Sequence, residues 1–411
     1  MDQQELLSED SKKAGLYLIE LMRSALNGNQ AAEIPENLSW EKVYKLAEYH
    51  HVEALSSYGL KGLKNLPPQE LMSKWNTAKT STLFKLLHFD TEREQIFAEM
   101  EKQGLSYLPL KGILLAGDYP NPGMRSMSDN DILYGFVEKS ECGRYHLSGE
   151  NEKEQEKNIK KAQECLVEIM KSRGFAVGHL TGNHDTFYKK PFYNFEMHRE
   201  LLSATSSHRA YYKNVWEKVI PNENSKYGFH MSLEDEYIFM LVHMEKHFTN
   251  GGCGIRHLND VFVFLNKRGE KMNQTYLQEE FGKLGMIDFE QEIRTLAMAL
   301  YKENRLLTEK EEELLYFFLG CGIYGRADVR VSNKIQTLKK EKETSVLLPR
   351  LRYIKERVWL DTQRIKDYYP FFYKHMWLRP LLPFYRILKG IVIHPGKLWY
   401  EWKNIWKKLK K

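Results

Sequence analysis

Apolar residues recur with a helical period at both ends of the chain. One stripe in the first segment consists of Leu16, Leu18, Ile19, Leu21 and Met22. The same period returns after residue 230, in SLEDEYIFMLVHMEKHF and IRHLNDVFVFLNK. Residues 1–103 have no strand-like alternation. We therefore predict helices over residues 1–103 and again beyond residue 230.

The middle of the chain has a different pattern. Glycine and proline punctuate it, and the short runs ILYGF, FAVGHL and FYNFEMHREL have the length and composition of strands. One helix is predicted among them, with an apolar face of Ala162, Cys165, Leu166, Ile169 and Met170. The whole pattern predicts an α+β fold, in which a small sheet is flanked by N-terminal and C-terminal helical regions.

Changes in the pattern of apolar, polar, glycine and proline residues divide the chain into four predicted regions. We predict an N-terminal helical region at 1–103, an α/β core at 104–230, a helical domain at 231–345 and a C-terminal extension at 346–411. A polar, charge-rich stretch near 138–160 is expected to be an insertion into the core that is exposed to solvent.

The composition is that of an ordinary globular protein, with 42% hydrophobic and 28% charged residues among 411. The four cysteines are scattered without C-x-x-C spacing, which argues against a zinc site or a disulfide framework. The opening MDQQELLSEDSKK is too acidic and polar for a secretory signal. No apolar run approaches the roughly 18 residues of a membrane span. We therefore expect a cytoplasmic protein.

The net charge of +6 comes from the end of the chain. From Phe384 onward eight lysines and arginines face one acid, Glu401, which gives +7 there and leaves −1 for residues 1–383. The last segment also places an aromatic and apolar stripe on a helix, made of Trp399, Trp402, Trp406 and Leu409. A basic, amphipathic helix is typical of segments that bind anionic membranes. We expect this extension to bind the inner face of the membrane; docking on the protein's own core, or on an acidic partner or nucleic acid, are the alternatives. Just before it, three prolines in YYPFFYKHMWLRPLLPFYRILKG exclude a continuous helix.

Candidate chemistry begins at RSMSDNDILY, where Asp129 and Asp131 stand at the head of an apolar run. In a strand the two side chains would lie on one face, and like charges that close raise each other's pKa. A divalent cation would relieve that repulsion. Glu196, in a second predicted strand, would add a third carboxylate. Three carboxylates on adjacent strands suit two Mg²⁺ ions about 3.5–4 Å apart, as in phosphoryl transfer.

Groups suited to phosphate lie upstream of these acids. Lys111 and Gly112 open the segment KGILLAG, where the glycine permits close approach of a phosphate and the lysine supplies a cation. Arg125 precedes Asp129 by four residues and is able to bind a phosphate with two hydrogen bonds.

These segments resemble the nucleotidyltransferase superfamily of DNA polymerase beta. The most similar branch is a bacterial family of uncharacterised nucleotidyltransferases that has Lys-Gly where Gly-Gly or Gly-Ser is usual. The resemblance covers about residues 80–330 and rests on LKGILLAGDYPNPGMRSMSDNDIL, HDTFYKKPFYNFEMHREL, LVHMEKHF with IRHLNDVFVFL, and GCGIYG. It implies a small mixed nucleotidyltransferase sheet and transfer of a nucleoside monophosphate, from ATP or another NTP, to an acceptor hydroxyl.

The same resemblance implies roles for individual residues. Asp129, Asp131 and Glu196 match the catalytic acids that bind Mg²⁺. Lys111 and Gly112 match the turn on the nucleotide side, and Arg125 matches the arginine before the acids. The chain departs from the superfamily at Asn130, where an apolar residue is usual, and in lacking Gly-Ser.

Several side chains have two interpretations from the sequence. His198, two residues after Glu196, would act as a general base or orient Glu196, or would only bond to neighbouring strands. Arg256 would reach the nucleotide, or pair with Asp260 on its own helix. His243 and His247 have the spacing of a metal pair but no H-E-x-x-H motif.

The function has alternatives as well. A D-x-D glycosyltransferase would use the same acids, although the helical first 100 residues argue against it. A non-catalytic nucleotide-binding adaptor at the membrane surface is the other alternative, suggested by Asn130 and the basic tail. The acceptor is not evident, and because no RNA-stacking motif is present we expect no specific nucleic-acid partner.

Overall fold

The computed structural model describes residues 8–323, 325–339, 345, 347–393 and 395–406. Residues 1–7, Tyr324 of GCGIYG, and Leu409 with the four lysines that follow Trp406 lie outside this range. Within it the chain divides into two compact units. The first contains residues up to 243 together with 255–320, and the second contains residues 244–254 and those from 321 onward.

The N-terminal region is helical, as its periodicity predicts. Its helices are α1 (Glu9–Asn27), α2 (Trp40–His50), α3 (Glu53–Gly59) and α4 (Gln69–Lys102). Leu18, Leu21 and Met22 are buried, whereas Leu16 at the edge of the predicted stripe is exposed. Helices α1 and α3 pack with almost no gap, since a Cβ on Gly59 would lie 2.1 Å from the carbonyl oxygen of Leu21. Only glycine allows this approach.

A five-stranded mixed sheet follows, with the strand order β1-β2-β7-β6-β5. Its strands are β1 (Ser106–Pro109), β2 (Asn130–Gly135), β5 (Ala176–Val177), β6 (His184–Lys189) and β7 (Tyr193–His198). Strands β2 and β7 are parallel, and every other neighbouring pair is antiparallel. The predicted α+β class with a small mixed sheet is therefore confirmed. The sequence pattern missed β6, which lies between β5 and β7.

A short helix, α5 (Gly112–Leu115), follows β1. Helices α4 and α6 (Glu152–Ser172) cover the sheet and bury its core. The shared core cluster includes Ile96, Met100, Ile132, Leu166, Met170, Phe187, Phe195 and Met197. The predicted face of α6 is buried apart from Cys165, which is partly exposed. This packing leaves the carboxyl side chains of β2 and β7 away from the core.

The polar stretch near 138–160 has regular structure of its own. It contains most of a hairpin, β3 (Val137–Lys139) and β4 (Tyr145–Leu147), and the first turns of α6. A second small hairpin, β8 (Val219–Pro221) with β9 (Phe229–Met231), precedes the C-terminal helices. Short turns at Ala116–Asp118 and Val215–Lys218 are 3₁₀ helices.

Helices resume after residue 230, as predicted. They are α7 (Leu233–Gly251), α8 (Arg256–Arg268), α9 (Gln274–Leu284), α10 (Ile287–Met298) and α11 (Glu309–Cys321). Ser232 caps α7 by accepting a hydrogen bond from the backbone N–H of Asp235 at 3.1 Å. Because the sequence places this serine just before an apolar helical run, the start of α7 is predictable.

The remaining helices belong to the second unit. They are α12 (Ala327–Thr337), α13 (Leu347–Val358), α14 (Thr362–Tyr368), α15 (Pro370–Lys374), α16 (Leu382–Ile393) and α17 (Pro395–Trp406), with a 3₁₀ helix at Met376–Leu381. The three prolines divide this part of the chain into short helices, as predicted. Among the described residues, none of the helices combines the length and the apolar character needed to cross a membrane.

Candidate active site

Asp131 and Glu196 lie side by side on the parallel strands β2 and β7. The register pairs Asp131 with Glu196 directly and Leu133 with His198. Because side chains two residues apart share a face, His198 lies on the same side as Glu196. The coordinating atoms of Asp131, Glu196 and His198 all lie within 4.8 Å of one another. The parallel pairing thus brings together two acids that are 65 positions apart in the sequence.

Asp131 is buried between two nitrogen donors. Lys111 Nζ donates to its Oδ1 at 2.8 Å, and His198 Nε2 lies 2.8 Å from the same oxygen. Burial alone would raise the pKa of Asp131, but the Lys111 ammonium and the His198 contact outweigh it and lower the pKa. Asp131 is therefore an anion at neutral pH.

Lys111 reaches Asp131 because of an unusual backbone conformation. The N–H of Leu110 donates to the carbonyl oxygen of Asp131 at 3.0 Å, which brings Lys111 beside it. Lys111 itself has φ +50° and ψ −116°, a conformation typical of glycine, and α5 (Gly112–Leu115) begins at the next residue. A lysine in such a conformation costs on the order of 1–3 kcal/mol, a strain that is common at functional sites.

Asp129 precedes β2 by one residue and lies beside the cluster rather than within it. Burial raises its pKa, and the charge of Asp131 raises it further. Lys111, Arg256 and Arg125 act in the opposite direction, so all three cations contribute to the field at this carboxyl group. The charge of Asp131 thus raises the pKa of Asp129 as the sequence predicts, whereas the pKa of Asp131 itself is lowered.

Arg125 is held by Asp260 of α8. Its Nε and Nη2 donate to the two carboxylate oxygens of Asp260 at 2.8 and 2.9 Å, and the Tyr119 hydroxyl donates to Oδ1 at 2.8 Å. Gly112 has its own close neighbour here, since a Cβ at that position would lie 2.5 Å from Arg125 Nη1. Arg125 therefore makes its bidentate bond to a carboxylate of the protein, and Gly112 leaves room for it.

Arg256 does not form the expected ion pair with Asp260, whose partner is Arg125. Its Nη1 donates instead to the carbonyl oxygen of Ser126 at 3.3 Å. Among the described residues its buried Nε has no hydrogen-bond partner. Burial lowers the pKa of Arg256, and the neighbouring Arg125 lowers it further. A second cation with a spare donor thus lies near Asp129.

Asn130, the unusual residue between the aspartates, has a structural role. It is fully buried, accepts a hydrogen bond from Arg93 Nη1 at 2.6 Å, and donates to the carbonyl oxygen of Asn194 at 3.3 Å. Arg93 of α4 also pairs with Asp90. Asn130 therefore links β2 to α4 and β7. No local pattern points to Arg93, because it lies in a helix, 37 residues before Asn130 in the chain.

His184 of β6 is a residue of the site that the sequence analysis missed. Its Nε2 lies 3.9 Å from Glu196 Oε2, and its ring centroid lies 5.2 Å from that of His198. Burial lowers the pKa of His184 to about 4, and His198 contributes in the same direction. His184 is thus neutral at pH 7. Recognising HDTFYK as a strand next to FYNFEMHREL would have placed it here.

The donor set fits a divalent cation. Asp131 and Glu196 offer carboxylate oxygens, which both Mg²⁺ and Mn²⁺ bind, while His198 offers an imidazole nitrogen, which suits Mn²⁺ better. Lys111 lies on Asp131 Oδ1 and would have to share or leave that oxygen when a cation binds. His243 and His247 belong to no cluster of three ligands within the described residues.

Comparison with known proteins identifies a family for the chain. A family model described as "Uncharacterised nucleotidyltransferase" matches residues 36–139 and 159–302. The residues that it omits between these ranges, 140–158, lie within the predicted insertion and include β4. No curated protein matches the chain, and no solved structure matches it. Since the family model matches more than half of the residues, including β2, β7 and α8, the chain belongs to this family of uncharacterised nucleotidyltransferases.

Proposed function

We propose that the chain transfers a nucleoside monophosphate from an NTP to an acceptor hydroxyl. The observation that supports this most is the direct pairing of Asp131 with Glu196 on β2 and β7, with His198 in the same cluster. In the reaction, the acceptor oxygen bonds to the α-phosphorus as the bond to the bridging oxygen breaks, and pyrophosphate leaves. Family membership favours this chemistry over a D-x-D glycosyltransferase.

The residues divide this work between cation and nucleotide. Asp129, Asp131 and Glu196 would hold Mg²⁺ or Mn²⁺, which would neutralise phosphate charge and align the reacting oxygens. Glu196 is more exposed than Asp131, which supports Glu196 as the carboxylate that would accept the acceptor's proton. His198 is buried against Asp131, which favours an orienting role over that of a general base.

Basic groups beside the acids would bind the triphosphate. Arg256 has a donor to spare, and Lys111 would move from Asp131 to a phosphate oxygen when the cation binds. Arg125 would act mainly through its field, because Asp260 already occupies its guanidinium edge. Lys111 thereby replaces the Gly-Ser contact that the chain lacks.

The test is a transfer assay without an assumed acceptor. The protein is incubated with each labelled NTP, Mg²⁺ or Mn²⁺ and a cell extract, and the labelled product is identified by mass spectrometry. We expect one labelled product that is absent with Asp129→Asn and with Asp131→Asn. Cation-dependent NTP binding without any product would favour the non-catalytic adaptor. Unchanged NTP binding in both variants, measured by calorimetry, would contradict the metal site itself.

A further inference from the structure

The second unit exposes apolar side chains far more densely than the first. Of 31 large apolar or aromatic side chains that are exposed among the described residues, 22 lie between residues 347 and 406. The remaining nine are scattered over residues 16–306. Contiguous exposed apolar patches are rare on soluble proteins and usually mark a site of interaction. Residues 347–406 are therefore the part of the chain where a binding surface is most expected.

Helix α16 is the centre of this surface. Only its first two residues, Leu382 and Pro383, are buried. The others that are large and apolar are exposed, namely Phe384, Tyr385, Ile387, Leu388, Ile391, Val392 and Ile393. Val392 reaches 80% exposure. A helix that is apolar on most sides is normally covered, so α16 lacks a covering layer within its unit.

Helix α17 is attached to its unit by the face that does not contain the tryptophans. Ile405 is buried with Val331, Ile335 and Tyr353. Glu401 accepts hydrogen bonds from the Tyr353 hydroxyl and from Arg357 Nε, each at 2.7 Å. This anchors α17 and leaves its other face free for contact.

The three tryptophans of the predicted stripe are on that exposed face. Trp399 is 72% exposed, and Trp402 and Trp406 are also exposed. In the part of the chain that the structure describes, these tryptophans are thus not docked on the protein's own core, which is one of the alternatives from the sequence. Between α16 and α17 an open cavity of about 850 Å³ is lined by apolar side chains such as Ile387, Ile391 and Leu398.

The charge of residues 347–411 indicates which kind of partner this surface would bind. Residues 347–411 contain sixteen lysines and arginines against four acids, a net charge of +12 in a chain of +6. Lys374, Lys389 and Lys403 are exposed on or near the same helices. Basic residues beside exposed tryptophan and tyrosine are the pattern of the boundary between lipid headgroups and acyl chains.

We propose that residues 370–406 form a docking surface for an anionic phospholipid bilayer. The apolar residues of α16 and the exposed tryptophans enter the boundary between headgroups and acyl chains, while the three lysines contact the phosphates. The sequence alone places this contact in the last helix; the structure extends it to α15 and α16. The proposal is independent of nucleotidyl transfer, because it uses none of the residues of the candidate active site.

Vesicle flotation with the full chain tests the proposal. Vesicles of phosphatidylcholine are compared with vesicles that also contain about 30 mol% phosphatidylglycerol, at about 0.05 M and about 0.5 M salt. We expect binding to the anionic vesicles only, weaker at high salt, with a blue shift of tryptophan emission. No binding to anionic vesicles, or equal binding to both compositions, would overturn the proposal.

Matched variants locate the surface. Leu388→Gln with Val392→Gln should weaken vesicle binding at least tenfold, because two side chains no longer enter the apolar layer. The control is Leu87→Gln with Leu306→Gln, two exposed leucines of the first unit, and it should bind like the wild type. Circular dichroism and melting temperature should be unchanged in both pairs. Wild-type binding by the Leu388/Val392 pair would overturn the proposal.

A charge variant and a mass measurement complete the test. Replacing Lys374, Lys389 and Lys403 with glutamine should weaken binding about fivefold for each lysine at low salt. Light scattering of the lipid-free protein should give a monomer. A dimer that the Leu388/Val392 pair dissociates would overturn the proposal and assign the surface to a second copy of the chain. NTP binding is measured on the same variants, so that failure at the membrane is distinguished from failure at the active site.

Discussion

Asp260 binds Arg125 through both of its carboxylate oxygens, at 2.8 and 2.9 Å. The pair joins α8 to the loop that leads into Asp129, and both side chains are almost fully buried. Burial would raise the pKa of Asp260, but Arg125 outweighs it and keeps the carboxyl group ionised. The position of Asp129, just before β2, thus depends on a helix more than a hundred residues later in the chain.

The first prediction follows from that pair. Asp260→Asn leaves the buried Arg125 guanidinium without its hydrogen-bonded carboxylate, and breaking such a pair typically costs about 3–5 kcal/mol of unfolding free energy. Denaturant unfolding monitored by circular dichroism measures the loss. Removing both partners, as Arg125→Met with Asp260→Leu, should cost less than Asp260→Asn alone, since no charge then stays buried.

The exposed pair Lys74–Glu70 provides the control for this prediction. It is also an ion pair, at 2.8 Å, but both side chains are largely in solvent. Glu70→Gln should therefore change the unfolding free energy by less than about 1 kcal/mol. An equally small effect of Asp260→Asn would show that the Arg125 pair contributes no more than a surface contact.

The second prediction concerns Lys111. Its backbone conformation costs stability, whereas its side chain donates a hydrogen bond to Asp131. Lys111→Gly and Lys111→Ala both remove the ammonium group from Asp131, but only glycine accepts φ +50° without strain. Both variants should lose affinity for NTP in calorimetry. In thermal unfolding the glycine variant should be more stable than the alanine variant by about 1 kcal/mol. Equal stability would mean that this conformation is not strained.

Residues close in sequence made part of this site predictable. Asp129 and Asp131 share a segment, and Glu196 and His198 share another, so each pair could be recognised from local pattern. The α+β class and most helices followed from periodicity in the same way. The family resemblance then predicted that the acids of the two segments belong to one site.

The remainder depends on tertiary contacts that no local pattern encodes. The bond of Arg125 to Asp260, the contact of Arg93 with Asn130 and the position of His184 each join segments from different parts of the chain. The spacing of Arg256 and Asp260 suggested an ion pair within one helix. A partner outside the helix formed two hydrogen bonds to Asp260 instead.

Glu196 carries the third prediction. Glu196→Gln should lower the rate of transfer by about 10²–10⁴-fold, the usual contribution of a general base, with a smaller effect on NTP affinity. Single-turnover kinetics and calorimetry separate the two effects. Glu164→Gln, at an exposed glutamate of α6 outside the site, is the matched control and should turn over like the wild type. Near-normal turnover by the Glu196 variant would reduce Glu196 to a structural residue of β7.

The fourth prediction concerns acid stability and rests on His50 at the end of α2. His50 is fully buried, and its Nε2 lies 3.2 Å from the carbonyl oxygen of Leu319 in α11. Burial lowers its pKa from 6.5 to about 3. The unfolded chain therefore takes up a proton near pH 6.5, while the folded chain does not.

Because the unfolded chain takes up this proton and the folded chain does not, lowering the pH favours the unfolded state. The contribution of His50 is fully present above pH 6.5 and is lost as the pH falls from 6.5 toward 3, by up to about 1.4 kcal/mol per pH unit. Glu53 has the opposite effect, because burial raises its pKa to about 7 and its ionisation above that pH costs stability.

Comparing His50→Gln with the wild type at each pH removes the Glu53 contribution from the difference. We expect the variant to be less stable at pH 7.5, and its deficit to shrink and then reverse as the pH falls to 4.5. Urea unfolding at several pH values measures this difference, and a deficit that stays constant from pH 7.5 to 4.5 would show that His50 takes up a proton equally in both states.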